Sequence, residues 1–352
     1  MKFSLQSLSI NELRRKAMYA ITRNVGSSVS LDFNNLSELE NVKKILVLRP
    51  NHRLGNLILT TPIIAELSHV FPNSKIDILI RGDYLAPIVF GKYEKINNYL
   101  PLPRKPFNSL IKYASLWGKV KVKEYDLVIN AVEGSSSGRL LTKLSRAEYK
   151  VFGGTSEETP IEFKHRKHIA LGPIYDLRYF LRNIREFNDK NIPLLDIKLT
   201  TEEKSKGKLA LKKIVKTDKP VIGIFTFATG AKCYSTEFWD EFYTKLKAKF
   251  TAYQILEILP IENVSQIQFR EKTYYSKDIR EIASVMHNTE IFIGADSGMM
   301  HLASASLTPT VGLFSKANIE EYKPYGPQNT AINTNTTSID DSLKIIERIL
   351  DS

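Results

Sequence analysis

Ile291-Phe-Ile-Gly-Ala-Asp296-Ser297-Gly298-Met299-Met-His301-Leu-Ala-Ser-Ala305 reads as a buried strand, a sharp turn and a helix in immediate succession. Ile291, Phe292 and Ile293 form the short apolar, partly β-branched run of a covered parallel strand. Gly298 permits a tight turn and a close backbone approach. The helix behind it aims unpaired N–H groups, and the positive end of its dipole, at whatever lies above the strand. Asp296 stands at the strand's carboxyl end, where open α/β sheets bind ligands. His301 falls in the first turn or so and can face the same anion. The constellation suits a nucleotide diphosphate, although an ordinary strand–turn–helix with a capping Asp and a packed His would leave the same pattern.

A chain of 352 residues is long for one core and natural for two domains. With 43% hydrophobic and 25% charged residues it has the balance of a globular enzyme. One cysteine, Cys233, excludes an internal disulfide framework, and nothing resembles a zinc cluster. The amino terminus lacks the apolar core of a signal peptide, and no apolar run approaches a membrane span, so a cytoplasmic location is expected. The net charge of +12 includes local clusters at Lys119–Lys123 and Lys164–His168. No zinc finger, bZIP or RNA-binding motif accompanies them, so nucleic acid is not expected. A solvated surface accounts for such charge, as does attraction to anionic lipid or a phosphorylated glycan.

Residues 1–40 read as an amphipathic helix and a connector. Ser9-Ile-Asn-Glu12 is a capping box ahead of the stripe Ile10, Leu13, Ala17, Ile21 and Val25, with Arg14, Arg15, Lys16 and Arg23 beside it. Such a helix suits peripheral contact with the inner membrane face or packing on the carboxyl-terminal domain. From residue 41 to 190 strand and helix alternate, with strands at Ile45–Leu48, Lys75–Ile80 and Asp126–Ala131 and helices at Thr61–Val70 and Arg139–Ser145. Residues 191–335 repeat the alternation, with strands at Pro220–Phe225, Gln254–Leu259, Glu290–Gly294 and Thr310–Phe314. Residues 336–352 hold a final amphipathic helix, Ser338–Leu350. The pattern predicts an α/β protein of two Rossmann-like, doubly wound domains facing a cleft.

The arrangement Asp296-Ser-Gly298-x-x-His301-x-Ala-x-Ala305 resembles the nucleotide-sugar site of glycosyltransferase family 9, the lipopolysaccharide heptosyltransferases, in the GT-B superfamily. Three further segments follow in the family's order. Ile45–Arg49, Leu54-Gly55-Asn56 and Thr61-Pro62 resemble its opening strand, glycine loop and helix. Lys232-Cys-Tyr-Ser-Thr-Glu237-Phe-Trp239 resembles its Lys-x-Trp-Pro-x-Glu-x-aromatic segment, and Ile279–Ala283 the helix before the Asp-Ser-Gly strand. The resemblance covers roughly residues 43–350 and implies a GT-B fold whose final helix returns to the first domain. It implies inverting transfer of heptose or a related sugar from a nucleoside-diphosphate donor, ADP-heptose first among them. The acceptor would be lipopolysaccharide core or another surface glycan, an anionic glycolipid or oligosaccharide. No resident cofactor or metal is expected; the nucleotide sugar is a co-substrate.

Such transfer requires stabilisation of a leaving diphosphate and removal of a proton from the acceptor. Lys232, after the small-residue loop containing Thr229 and Gly230, is the candidate for the first task. Ser297, Gly298 and Met299 would offer amides, and His301 would share the charge. Glu262 resembles the family's ribose-binding carboxylate, with Glu257 as competitor; a carboxylate accepts two hydrogen bonds from a vicinal diol. Tyr234 and Ser235 replace the family's Trp and Pro and are expected to serve packing and helix initiation.

The anomaly is Asn56, which occupies the position of the family's proposed general base, an aspartate. An amide takes no proton at neutral pH, so Asn56 caps a helix or positions the acceptor. Asp83, Glu133 and His52 are then the candidate bases. Gly55, Ser135 and Arg139 are candidate acceptor contacts, Arg139 through an acceptor phosphate or carboxylate. A catalytically impaired nucleotide-sugar-binding protein and a GT-B epimerase or hydrolase are the alternatives.

Overall fold

Lys44–Arg49 (β1), buried throughout after its first residue, is the centre of a parallel sheet. Around it lie Lys75–Arg81 (β2), Ile96–Leu102 (β3), Glu124–Asn130 (β4) and Arg146–Val151 (β5), in the order β3-β2-β1-β4-β5. The connections are helices: Leu54–Ile58 (α1), Thr61–Val70 (α2), Leu85–Phe90 (α3), Leu110–Val122 (α4), Ser136–Leu144 (α5) and Gly172–Leu181 (α6). The structure is a computed structural model and describes residues 36–104, 110–153, 167–188, 191–316 and 318–351, with residues 20, 22, 25 and 26. Most of the basic amino-terminal helix, including its capping box, therefore lies outside the described residues.

The second sheet is also parallel. It comprises Val221–Phe225 (β6), Gln254–Ile258 (β7), Lys272–Tyr274 (β8), Ile291–Ala295 (β9), Thr310–Phe314 (β10) and Thr330–Asn333 (β11), in the order β11-β10-β9-β6-β7-β8. Its helices are Thr201–Val215 (α7), Thr236–Lys249 (α8), Ile279–Met286 (α9), Gly298–Ala305 (α10), Ile319–Tyr322 (α11) and Ile339–Leu350 (α12). In each sheet the first strand lies inside, and the chain then winds outward in both directions. This creates a switch point between β1 and β4 and another between β6 and β9, where doubly wound sheets open a crevice for ligands.

The last helix differs from expectation. Leu343 and Ile346 of α12 join Trp239, Phe242 and Leu246 of α8 in one core. Lys245–Asp340 (2.8 Å) and Lys249–Glu347 (2.7 Å) edge that contact. The apolar stripe of α12 thus finds its complement on the second domain, and the helix does not return to the first.

Between the sheets runs an extended strap, residues 192–199. Thr61 Oγ1 accepts from Asp196 N (3.2 Å), and Ile197 N donates to Ala305 O (2.9 Å), so the strap touches both domains. Arg280 of α9 pairs with Glu203 (2.5 Å) and donates to Ile88 O of α3 and Ile197 O, both at 3.0 Å. Hydrogen bonding to Arg280 holds the Glu203 carboxyl down at about 2. Behind the strap, Arg178 and Glu66 form a buried pair (2.7 Å), and Arg178 also donates to Asn188 O and Asn191 O. Both crossing points are therefore tied by arginines whose forked donors reach several carbonyls at once.

Candidate functional site

At the second switch point, β9 delivers Asp296 and its neighbour β6 delivers Lys232. After β6 the chain passes through exposed Thr229 and Gly230, the latter at φ +64°, into a single 3-10 turn, Gly230–Lys232. Lys232 Nζ stands 2.5 Å from Asp296 Oδ2, with the lysine half-exposed and the carboxylate buried. Ser297 caps α10, its hydroxyl accepting from Met300 N (3.4 Å). The N–H groups at the start of this helix have no partner inside it and point out of the strand end. A diphosphate meeting Lys232 and these amides would find a fixed cation and fixed dipoles together.

His301 is buried in the first turn of α10, and its Nδ1 has no hydrogen-bond partner. Burial, with the nearby His168 and Lys232, pushes its imidazole down to about 3. It is neutral at pH 7 and offers a hydrogen bond, not the charge expected of it. His168, from the predicted basic cluster, is likewise buried; it accepts from Ala170 N and contacts Lys323 O at 2.8 Å. Lys164–Arg166 of that cluster lie outside the described residues.

The two ribose candidates separate clearly. Glu257 is fully buried, with Oε1 accepting from Thr226 (2.6 Å) and Oε2 from Ser265 (2.7 Å). Desolvation raises its carboxyl despite those bonds. Ser265 Oγ in turn accepts from Ile267 N and Phe269 N, so Glu257 anchors the loop beyond β7. Glu262 lies exposed on that loop. Tyr234 stacks on Phe238 and bonds to Thr334, while Ser235 caps α8, the packing and initiation roles expected of them.

At the first switch point the arrangement is different. Asn56 does not cap: the residue preceding α1 is Arg53, and Asn56 lies within the helix. Its Oδ1 accepts from Arg49 Nη2 (3.0 Å) and its carbonyl from Arg49 Nε (3.2 Å). Arg49, at the end of β1, is buried, and desolvation lowers its guanidinium to about 10. Its charge is met here by amide oxygens where an aspartate would have supplied a carboxylate. Gly55 lies buried against the other domain; a Cβ on it would fall 2.9 Å from His301 Cδ2 and 3.3 Å from Gly298 Cα. It permits α1 and α10 to touch.

Arg139 is also placed otherwise than expected. Its guanidinium is buried and donates to Thr22 O (3.1 Å), Gly153 O (3.1 Å) and Gly26 O (2.6 Å). A buried cation requires such partners, and its donors are spent on holding the amino-terminal segment to the first domain rather than an acceptor. The described part of that segment therefore meets the first domain, not the carboxyl-terminal one. Ser135 caps α5 by accepting from Gly138 N (3.1 Å).

Of the candidate bases, Asp83 follows β2 and Glu133 follows β4, both exposed. His52 follows β1; burial and the charges of Arg104, Arg81 and Arg53 lower its imidazole below the ordinary range. Two residues escaped sequence reading. Arg49 ends an apolar strand and carries no motif of its own. Tyr322, at the end of the short α11, lies under Lys232 Nζ, 5.6 Å from ring centroid to nitrogen, and close enough to Arg49 for their charges to interact. Burial and a hydrogen bond with Glu321 push its phenol up to about 12, so it stays protonated at pH 7. Among the described residues no group of three or more His, Cys, Asp and Glu side chains gathers as metal ligands would.

Residues 276–346, containing α9, β9, α10 and β10, match the family model described as Glycosyltransferase family 9 (heptosyltransferase). Lipopolysaccharide heptosyltransferase 3 of Escherichia coli strain K12 is 22% identical over 296 residues, 77% of this chain and 82% of that one. The chain is similar to the heptosyltransferases of glycosyltransferase family 9. Solved structures agree on its fold. A glycosyl transferase family 9 protein from Veillonella parvula DSM 2008 superposes with a TM-score of 0.67 at 19% identity, over 92% of this chain and 98% of its own. Escherichia coli heptosyltransferase WaaC with ADP does so with a TM-score of 0.62 at 13% identity, over 87% and 99%. The two parallel-sheet domains thus share the GT-B fold of those solved structures.

Proposed function

We propose that the chain is an inverting glycosyltransferase that moves heptose or a related sugar from a nucleoside-diphosphate donor to an acidic surface-glycan acceptor. One observation carries the reading: the start of α10, beside Lys232 at one switch point, packs on α1 just after β1 at the other, and Tyr322 interacts with both Lys232 and Arg49. The donor diphosphate would lie on Lys232 and the amides of Ser297, Gly298 and Met299, with Glu262 toward the ribose and His301 donating from its neutral ring. The acceptor would enter from the first domain, where Arg53, Arg81 and Arg104 surround His52 and favour a phosphate or carboxylate. Its hydroxyl attacks the anomeric carbon as the bond to the diphosphate breaks. The electron pair leaves on the phosphate oxygen toward Lys232.

Asn56 takes no proton, and His52 is the favoured base because burial and then its arginine neighbours lower its imidazole and favour the neutral form that can take one. Asp83 and Glu133 complete the set to be tested. On this reading the protein works in the cytoplasm, beside a lipid-linked acceptor at the inner membrane face. A nucleotide-binding protein without turnover is the second reading, motivated by Asn56 alone.

A thermal-shift series with ADP, GDP, UDP and CDP tests the donor site. The correct nucleotide at 100 times its dissociation constant adds about 2.7 kcal/mol of stability. Lys232→Ala should weaken diphosphate binding far more than nucleoside binding. No shift with any nucleotide, or equal loss for both ligand types, would sink the assignment. Incubation with a donor that stabilises the protein, with and without a glycan acceptor, then separates transfer from hydrolysis, epimerisation and binding alone.

A further inference from the structure

The two most exposed large apolar side chains among the described residues are Ile111, at 86%, and Val122, at 72%. Both lie on α4. Eleven residues at about 100° each bring them within about 20° of one line along the helix. Exposed Ala114, Ser115 and Gly118 fall between them on the same crest. Lys112 and Lys119 flank the crest on one side and Lys121 on the other, all exposed. The opposite face carries Leu116 and Val120, buried against Leu102, Tyr125, Val128 and Leu141. No acidic residue occurs anywhere in α4. Beside it, the end of α5 adds exposed Lys143 and Leu144.

We propose that this face of α4 rests on a bilayer surface bearing anionic headgroups, with Ile111 and Val122 below the headgroups and the lysines among their phosphates. An apolar crest between rows of lysine is the pattern of a helix lying in the interface plane. A second copy of the chain would bring like charges together along the whole contact, and a nucleic acid would have no use for the apolar crest. The helix α7 provides an internal contrast. It is also lysine-rich and exposes one apolar residue, Leu209, at 68%. Yet Glu202 and Glu203 open it, and Lys206 is paired with Glu202 at 2.7 Å. Contact through α4 would hold the end of β3, with Arg104, near the membrane, where a lipid-linked acceptor arrives.

Full-length protein sedimented with phosphatidylcholine vesicles, with and without phosphatidylglycerol, tests this at low salt. Binding should require phosphatidylglycerol. Ile111→Asp with Val122→Asp should weaken it about tenfold or more, and so should Lys119→Glu with Lys121→Glu. Leu209→Asp should leave it unchanged, and the melting temperature of every variant should match that of the wild type. The proposal is overturned if the wild type does not bind, or if the Ile111/Val122 variant binds as the wild type does. It fails equally if Leu209→Asp is as damaging. Loss in the lysine variant alone would make the surface a polyanion site and not a bilayer one. Loss only on deletion of residues 1–35 would move the contact to the amino-terminal segment.

Discussion

The two switch points share a topology and differ in how they treat a cation. Between β6 and β9, Lys232 meets the carboxylate of Asp296 at 2.5 Å. At the end of β1, the more deeply buried Arg49 meets the amide oxygen and carbonyl of Asn56 and, among the described residues, no carboxylate in an ion pair. The second domain therefore holds its cation in a preformed pair, which an arriving diphosphate must share. The first domain holds surplus positive charge, from Arg49 and from the arginines that add to the effect of burial on His52. A compensated site tolerates an empty state well; an uncompensated one gains most when an anion arrives. This difference suits a donor that binds first and an acidic acceptor that completes the charge balance.

The largest effect should come from breaking the compensated side. Lys232→Ala removes the cation beside the leaving group and leaves Asp296 unpaired, so turnover should fall by about 10²–10³-fold. A loss confined to KM would make Lys232 a binding group without a share in the leaving-group step. On the uncompensated side, His52→Ala should lower turnover by about 10²-fold, the scale of a lost general base. Because the His52 imidazole is lowered, its neutral form persists to below the usual histidine range, and the acid limb of the pH–rate profile should shift down with it. If Asp83→Asn or Glu133→Gln costs that much and His52→Ala does not, the base sits at the end of another strand.

The same contrast governs what the sequence discloses. The interior strands β1, β2, β4, β6, β7, β9 and β10 announce themselves as apolar β-branched runs because both neighbours and both faces are buried. The edge strands β3, β5, β8 and β11 leave no such mark, since Ile96–Leu102 with its two asparagines and a proline, or Lys272–Tyr274, need satisfy only one neighbour. The proposed donor side is legible because Asp296, Ser297, Gly298 and His301 are consecutive or nearly so. The proposed acceptor side is not, because Arg53, Arg81 and Arg104 follow or end three different strands and act together on His52 only in space. Arg139 misleads for a related reason: its glycine-rich loop suggests an open site, while its partners, Thr22, Gly26 and Gly153, lie far along the chain. The final helix, α12, shows its apolar stripe plainly, but a stripe does not name the surface it will cover.

His301 allows a test of burial at the second switch point. Its imidazole sits at about 3 in the fold against about 6.5 when unfolded. Between those values the unfolded chain binds the extra proton, so stability is intact above pH 6.5 and declines as pH falls toward 3. The slope should be about 1.4 kcal/mol per pH unit, and His301→Gln should flatten it. Urea midpoints at several pH values measure both; a slope unchanged in the variant would mean another buried group carries it. Arg139→Lys probes the corrected role. It should cost about 1–3 kcal/mol by leaving carbonyls unserved, with the acceptor KM unaltered. A raised KM at unchanged melting temperature would restore Arg139 to the acceptor site.

The smallest expected effect bears most directly on the comparison, because Asn56→Asp would make the two switch points alike. The introduced carboxylate would accept from Arg49 as the amide does, now with a full charge, and a charge-assisted bond exceeds a neutral one. Burying that carboxylate offsets part of the gain, so the net rise in stability should be about 1 kcal/mol. The same pairing would hold the new carboxyl low and make it a weak proton acceptor, while cancelling charge that the acidic acceptor otherwise meets. Turnover should therefore change little and the acceptor KM should rise, which melting curves and product formation across pH will show together. A fall in stability would mean that Arg49 is already compensated. A gain in turnover of about 10²-fold would mean that the first domain lacks a base, and that His52, Asp83 and Glu133 had not replaced it.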